Sequence, residues 1–338
     1  MVGERVLGRF LIEEKIGSGG FGTVYRAWDE RLQRPVAVKA IERQEGAPRV
    51  TREAQAVARL AHRNIATLYE LAAQGNHAFL VSELIEGETV RALGRRGELT
   101  DRVVAEVGAD GAAALAHAHR HGVVHRDVKP ENILVAPGEA KLVDFGIARI
   151  SGERSLTATG AVVGTLAYMA PEQADGLRPG PAADVYSLAL TLYESFCGEH
   201  PLLRQGPAAT ARAIGEPVPP LGGVRLELPE QLTETIDACL DPDPERRPLA
   251  SELEAALNAH APQLDGAPLP PVEGPGEEGP PLRRPLPLAR LAPALGIGAL
   301  TAVGLIASAA PAVLLAGALL AGALALARPR PALAIGAA

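Results

Sequence analysis

Cysteine, lysine and aromatic residues are scarce in this chain of 338 residues. The two cysteines, Cys197 and Cys239, exclude a fold held by several disulfides and a cysteine-rich zinc module, and they suit a reducing compartment. Only four of the 33 basic residues are lysine, so each lysine raises the question of why arginine does not stand there. The last aromatic residue is Phe196, and we expect no second globular core in the C-terminal tail.

The chain also lacks a strongly basic character and a visible leader. Its formal net charge is −7 and it has no block of Lys or Arg, which argues against nucleic acid as a partner. The first 17 residues contain no apolar run of the length that a secretory signal needs. We therefore expect neither nucleic-acid binding nor secretion of the N-terminal part.

The hydrophobic pattern changes from β-like to helical along the first 260 residues. Short alternating runs at 7–42 and 65–85 are typical of strands, and residues 49–61 between them have helical spacing. Further helices are predicted at 101–121, 184–197, 229–240 and 249–259, with short β-like runs at 123–125, 133–135 and 141–143. This order predicts an α+β fold of two unequal lobes.

The composition changes again after residue 261. Residues 262–287 contain nine prolines and four glycines, which predicts an extended linker. Residues 291–327 contain no charge and exceed the roughly 20 apolar residues that cross a bilayer as a helix. They are predicted to span the membrane once, or twice with a break at Pro311, and a buried or low-complexity Ala/Gly helix is the alternative.

A glycine-rich segment precedes an alternating run that ends in a lysine. Residues 17–24, Gly-Ser-Gly-Gly-Phe-Gly-Thr-Val, contain G-x-G-x-x-G-x-V, in which glycines let backbone amides approach phosphates. The following sequence fits neither a dinucleotide-binding fold nor a Walker A loop. In Val36-Ala37-Val38-Lys39 a strand would point Ala37 and Lys39 to one face, so that the lysine could reach phosphates below the loop.

The most specific motif is His-Arg-Asp-Val-Lys-Pro-Glu-Asn at 125–132. Asp-Phe-Gly at 144–146 and Ala-Pro-Glu at 170–172 follow it in order. Together these motifs, over roughly residues 8–260, resemble the eukaryotic-type (Hanks-type) bacterial Ser/Thr protein kinases that are anchored in the membrane.

The resemblance implies a bilobal protein kinase fold and an order of regions. The expected regions are a kinase domain at 1–261 (a small β-rich N-lobe at about 1–85 and a larger, mainly helical C-lobe at about 86–261), a Pro/Gly-rich linker at 262–290, a transmembrane region at 291–327 and a short tail at 328–338.

The resemblance also assigns the transfer chemistry. It implies ATP as phosphoryl donor, Mg²⁺ or Mn²⁺ as metal, and Ser/Thr hydroxyls of proteins as acceptors. Asp127 would accept the hydroxyl proton, Lys129 would neutralise charge on the transferring group, and Lys39 would hold phosphates while paired with Glu53. The metal would be held by Asn132 and Asp144.

The resemblance places adenine between the lobes. Val24 and Ala37 would lie above the ring and Leu134 below it, with the backbone of residues 83–85 at its edge and Ser82 behind it. The residues expected to bind ATP are Ile16, Gly17, Ser18, Gly19, Gly20, Phe21, Gly22, Val24, Ala37, Lys39, Glu83, Ile85 and Leu134.

Residues 144–172 correspond to the activation segment. Thr157 and Thr159 are the favoured phosphorylation sites, with Arg126 as a guanidinium partner, and trans-autophosphorylation would involve a dimer. Thr165 is expected to help to position the substrate. The structural residues implied by the family are Glu172 with its partner Arg247, and Asp184, which would brace the catalytic loop, the motif at residues 125–132.

Several alternatives stay open at this point. The chain could be a pseudokinase scaffold at the membrane, or a soluble kinase with a disordered tail. His117 and His121 are spaced as a metal-ligand pair, but no third ligand is visible. We expect an active kinase domain in the cytoplasm, where ATP is, held at the cell membrane by residues 291–327.

Overall fold

The computed structural model describes residues 1–19, 22–42, 52–145 and 166–272, without the side chains of residues 52–54. The strands of this part are β1 (Arg5–Val6), β2 (Phe10–Gly19), β3 (Gly22–Asp29), β4 (Arg34–Glu42), β5 (Leu68–Gln74), β6 (His77–Ser82), β7 (Glu88–Thr89), β8 (Ile133–Ala136) and β9 (Glu139–Leu142). The helices are α1 (Arg52–Val57), α2 (Val90–Arg95), α3 (Asp101–Arg120), α4 (Pro171–Ala174), α5 (Pro181–Cys197), α6 (Pro207–Ala213), α7 (Leu221–Val224), α8 (Glu230–Cys239) and α9 (Ala250–His260).

The first lobe is an antiparallel sheet with the strand order β1-β2-β3-β4-β6-β5. Alternate residues of β4 face its core, where Val36 and Val38 are fully buried with Phe10 and Val81. The period of two therefore leaves Ala37 and Lys39 together on the opposite face, as the alternating run predicts.

The second lobe is built around a helix that is buried almost all round. Fourteen of the seventeen residues of α5 are buried, and α3 and α8 pack against it. Gly108 lets α3 lie close, because a Cβ there would come within 2.6 Å of Leu192 Cδ2 on α5. The helix ends at Gly198, whose φ of 80° suits a glycine cap.

Residues 64–66 of the first lobe form hydrogen bonds with β9 of the second lobe. Ile65 forms a parallel bridge with Leu142 at the end of β9. The backbone N–H of Ala66 donates to Leu142 O at 2.9 Å, and Asn64 Nδ2 donates to Ala140 O at 2.9 Å. These bonds hold β9, which leads directly to Asp144, against the first lobe.

The packed part of the chain continues past the predicted boundary at residue 261. The N–H of Leu269 donates to Leu99 O at 2.7 Å, and that of Val272 donates to Gly94 O at 2.9 Å. We call residues 264–272 the strap, because they lie along α2 and the loop after it, with Leu264 and Val272 buried. The prediction of a linker from residue 262 is wrong for these residues: their apolar side chains find partners that proline content does not reveal.

No helix within the described ranges has the length and apolar character needed to cross a membrane. The predicted transmembrane region at 291–327, the tail at 328–338 and the remainder of the linker lie outside those ranges.

Candidate active site

A buried carboxylate accepts hydrogen bonds from the backbone at the start of the catalytic loop. Asp184, in the first turn of α5, has no exposed surface, and its two oxygens accept the backbone N–H groups of His125 and Arg126, each at 2.7 Å. His119 Nε2 lies 2.8 Å from the same carboxylate. The second lobe thus orients the start of the His-Arg-Asp motif, the bracing arrangement that the resemblance implies for Asp184.

Two site residues have an unfavourable backbone conformation. Arg126 and Asp144 have φ values of 70° and 63°, in the left-handed region that non-glycine residues rarely adopt. His125, fully buried, lies between their two segments: its Nε2 is 2.9 Å from Val143 O, and its ring packs on Phe145 with centroids 4.4 Å apart. These contacts hold the strained residues in position.

The side chain of Asp127 is oriented by two neighbours in its own loop. Lys129 Nζ lies 2.9 Å from Asp127 Oδ2, and Asn132 Nδ2 donates to the same oxygen at 3.0 Å and to the Asp127 carbonyl at 2.7 Å. Because Nδ2 of Asn132 makes both bonds, Oδ1 is the atom that can bind a metal.

Lys39 and Asp144 join the two lobes at the site. Lys39 Nζ lies 2.9 Å from Asp144 Oδ2, although 105 residues separate them in the chain. Burial acts to raise the pKa of Asp144, but Lys39, His125 and Lys129 hold it below its ordinary value. Asp144 is therefore an ionised oxygen donor, and its carboxylate and Oδ1 of Asn132 are the kinds of oxygen ligand that Mg²⁺ prefers.

The described residues of the glycine-rich segment belong to the end of β2 and the beginning of β3. Gly17 pairs with Val24, and Gly19 with Gly22. Gly22 has a φ of 126°, and a Cβ there would lie 2.3 Å from Ala40 O, so only glycine fits at this position. Ser18 is exposed, while Gly20 and Phe21 lie outside the described residues.

The predicted adenine residues of the first lobe lie on neighbouring strands, and Leu134 lies on β8 of the second lobe. Val24 of β3 is opposite Lys39, and Ala37 of β4 is opposite Ser82 at the end of β6. Ile16, Val24, Ala37 and Leu134 are half-buried, so each has a surface that a ligand can cover, whereas Ile85 is buried.

The segment that connects the lobes contains an ion pair that the sequence analysis missed. Glu83 accepts the Thr67 N–H at 3.2 Å and Lys141 Nζ at 2.6 Å. Burial acts to lower the pKa of Lys141, but Glu83 and Glu139 raise it above its ordinary value. Lys141, for which the sequence suggests no role, thus ties the connecting segment to β9.

Glu172 and Arg247 form a buried ion pair, as the resemblance implies. Arg247 Nη1 and Nη2 lie 2.8 and 2.9 Å from the two oxygens of Glu172, and the guanidinium also donates to the carbonyls of Asp241, Ala182 and Pro242. The pair anchors the end of the activation segment to the loop before α9.

Some predicted residues lie outside the described part of the chain. They are Gly146, Thr157, Thr159 and Thr165, together with the side chain of Glu53. His117 and His121, set aside as a metal pair, have ring centroids 4.5 Å apart, and no group of three potential metal ligands occurs among the residues that the structure describes.

A polar cluster that the sequence does not predict joins the catalytic loop to α2 and α5. Arg91 of α2 contacts Glu131 of the loop and Glu194 of α5, and Tyr168 and His200 complete the cluster. Sequence spacing carries no signal for it, because 40 and 103 residues separate Arg91 from the two carboxylates.

Comparison with known proteins relates the chain to one family. The model of the family described as "Protein kinase domain" matches residues 10–257. The chain is 40% identical over 265 residues to the serine/threonine-protein kinase PknL of Mycobacterium tuberculosis, covering 76% of this chain and 66% of that protein.

Two further relatives have similar identities. The chain is 39% identical over 259 residues to the serine/threonine-protein kinase PknA of Mycobacterium tuberculosis, covering 73% of this chain and 59% of PknA. It is 37% identical over 255 residues to a probable serine/threonine-protein kinase of Clostridium acetobutylicum, covering 73% and 39%. The chain thus spans about two thirds or less of the length of the curated relatives it matches.

Proposed function

Because this chain belongs to the protein kinase family, we propose that it transfers the γ-phosphoryl group of ATP to serine and threonine hydroxyls of proteins. The observation that carries the proposal is the ion pair of Lys39 and Asp144, 2.9 Å apart across the two lobes, together with the carboxylate of Asp127 oriented by Lys129 and Asn132. The names of the relatives as Ser/Thr protein kinases support the acceptor class.

The residues of the site divide the work of the transfer. Asp127 accepts the hydroxyl proton at its carboxylate, which Asn132 holds in place, and Lys129 Nζ beside it neutralises negative charge on the phosphoryl oxygens. Lys39 binds phosphate oxygens as a compact ammonium. When bound to Asp144 and Asn132, Mg²⁺ supplies charge neutralisation and orientation of the phosphates.

The test compares phosphate transfer from γ-labelled ATP by wild type, Asp127→Asn and Glu234→Gln. Glu234 is exposed on α8 and is a control for the same change from carboxylate to amide. We expect Asp127→Asn to lose roughly 100- to 10,000-fold in kcat, the usual contribution of a general base, while Glu234→Gln matches wild type. Equal labelling by all three would reject catalysis at this site and favour the pseudokinase alternative.

We further propose that the chain phosphorylates itself on Thr157 and Thr159. Support comes from the position of Arg126 immediately before Asp127, where a guanidinium can pair with a phosphothreonine of the segment. Mass mapping of active protein should find phosphate on these threonines, and initial rates that rise with the square of protein concentration would indicate transfer between two copies of the chain. Unmodified threonines in an active preparation would contradict the proposal.

A cell-membrane location with the kinase domain in the cytoplasm is also a proposal. It is supported by the 37 uncharged residues at 291–327 and by the arginines on both sides of them. Fractionation of cells should recover the full chain with membranes and a 291–327 deletion in the soluble fraction. Recovery of both in the soluble fraction would favour a kinase with a disordered tail.

A further inference from the structure

The cluster around Arg91 lies where α2, the catalytic loop and α5 meet. Arg91 is only 5% exposed. Its Nε donates to Glu131 Oε1 at 2.8 Å and its Nη1 donates to Glu194 Oε1 at 2.8 Å. Its Nη2 donates to the Tyr168 hydroxyl, which in turn donates to Glu194. One guanidinium therefore joins two carboxylates from different elements.

Glu131 belongs to the part of the loop that carries the chemistry. It lies in the short 3₁₀ turn Pro130–Asn132, which is closed by the bond from Asn132 N to Lys129 O at 2.9 Å. A shift of Glu131 would therefore move Lys129 and Asn132, the two residues that orient Asp127.

The partner of Arg91 on α5 belongs to the same helix as Asp184. Ten residues separate Asp184 from Glu194, which corresponds to about 15 Å along the helix. Asp184 holds the backbone at the beginning of the catalytic loop, at His125 and Arg126. Glu194 reaches the end of the loop through Arg91.

We propose that Arg91 is a positioning residue for phosphoryl transfer, which ties the end of the catalytic loop to α5 as Asp184 ties its beginning. The inference rests on the proposed function. Arg91 acts through Glu131, and its own hydrogen bonds go to Glu131, Glu194 and Tyr168. Displacement of reacting groups by about 1 Å can cost on the order of 100-fold in rate.

The chemistry of the cluster requires arginine. Burial acts to lower the pKa of Arg91, but Tyr168, Glu131 and Glu194 raise it, so the guanidinium stays charged. A planar guanidinium can donate to both carboxylates and the hydroxyl at once, whereas an ammonium offers no such fork. Arg91→Lys should therefore keep the positive charge of the side chain but lose the simultaneous hydrogen bonds to Glu131, Glu194 and Tyr168.

The test measures kcat and KM for ATP on the full chain. Arg91→Met is expected to lower kcat about 10- to 100-fold, with KM for ATP changed less than about threefold. The kcat of Arg91→Lys should lie between those of Arg91→Met and wild type. Because Arg91→Met leaves the buried Glu194 and the half-buried Glu131 without their cation, the neutral triple variant Arg91→Met/Glu131→Gln/Glu194→Gln is measured with it and should show the same loss of kcat.

The control is an arginine of similar burial away from the loop. Arg225 is 13% exposed on its side chain and pairs with Asp101 and Glu227. Arg225→Met should lower the thermal midpoint of unfolding while leaving kcat at wild-type level at a temperature where the protein is folded.

The outcomes separate this inference from the proposed function. An active wild type with unchanged kcat in the folded Arg91 variants would overturn the inference alone. A loss of kcat in Arg225→Met equal to that in Arg91→Met would overturn it as well, since the effect would follow stability. A wild type without transfer would overturn the proposed function and this inference together.

Discussion

His200 makes folding stability sensitive to mild acid. Its ring is 5% exposed and meets the ring of Tyr168 edge-on, with centroids 4.7 Å apart. Its Nδ1 accepts the Leu202 N–H at 3.1 Å, and its Nε2 has no hydrogen-bond partner among the described residues. Burial, with the charges of Arg91 and Arg204, lowers the pKa of His200 to about 3. The perturbation that tests this environment is a fall in pH from 7 to 5.

The magnitude follows from the two pKa values. Between the unfolded value of 6.5 and the folded value of about 3, the unfolded chain binds a proton that the folded chain does not. The free energy of unfolding therefore falls as the pH falls through this window, by about 1.4 kcal/mol per pH unit. From pH 7 to pH 5 the loss due to His200 is about 2 kcal/mol.

The assay compares urea unfolding of wild type, His200→Asn and His77→Asn at pH 7 and pH 5. The side-chain oxygen of an asparagine at position 200 can still accept the Leu202 N–H, and asparagine does not titrate. His62 and His117, whose pKa values burial also lowers, add to the wild-type loss and stay in every variant. We expect His200→Asn to lose about 2 kcal/mol less than wild type between the two pH values, and His77→Asn is the control for the same substitution at a half-buried position. An equal loss in all three proteins would refute the reasoning.

Two further predictions concern packing outside the catalytic loop. Glu172→Ala leaves the guanidinium of Arg247 buried without a carboxylate, so the free energy of unfolding should fall by about 3–5 kcal/mol. Glu234→Ala at the surface is the control and should change the free energy of unfolding little. A loss below about 1 kcal/mol for Glu172→Ala, measured by urea unfolding, would contradict a buried pair. Gly94→Ala would bring a Cβ within 2.9 Å of Val272 Cγ2 and should destabilise the folded protein by about 1–3 kcal/mol. Most of this loss should be recovered in the double variant Gly94→Ala/Val272→Ala. Strictly additive effects in this double-mutant cycle would show that the strap does not pack on α2.

The parts of the site that could be predicted are those written in short contiguous motifs. Asp127, Lys129 and Asn132 occur within six residues, so their mutual contacts follow from one turn of backbone. Lys39 could be assigned to the ligand face of β4 because a strand alternates with a period of two. In the proposed function, two of the four lysines have a reason to differ from the arginines around them, since each would meet phosphate as a compact ammonium.

The contacts that could not be predicted join residues far apart in the chain. Glu83 and Lys141 are separated by 58 residues, and Arg91 and Glu194 by 103. An arginine in a short helix is ordinarily a surface residue, and only its burial between two carboxylates reveals another role. The strap was missed for a related reason, because a proline-rich composition indicates extended backbone without indicating what that backbone packs against.

By itself, the sequence determined the family, the two-lobed fold class and the identity of the groups available for transfer, because backbone periodicity and motif spacing are local properties of the chain. The tertiary structure alone decided which charges meet. Coulomb interactions and hydrogen bonds act over a few ångströms, and pairs such as Lys39 with Asp144 reach that range only when the lobes are packed together. The same packing decides which groups are deprived of water, and therefore that His200 resists protonation and that Arg91 holds the end of the catalytic loop.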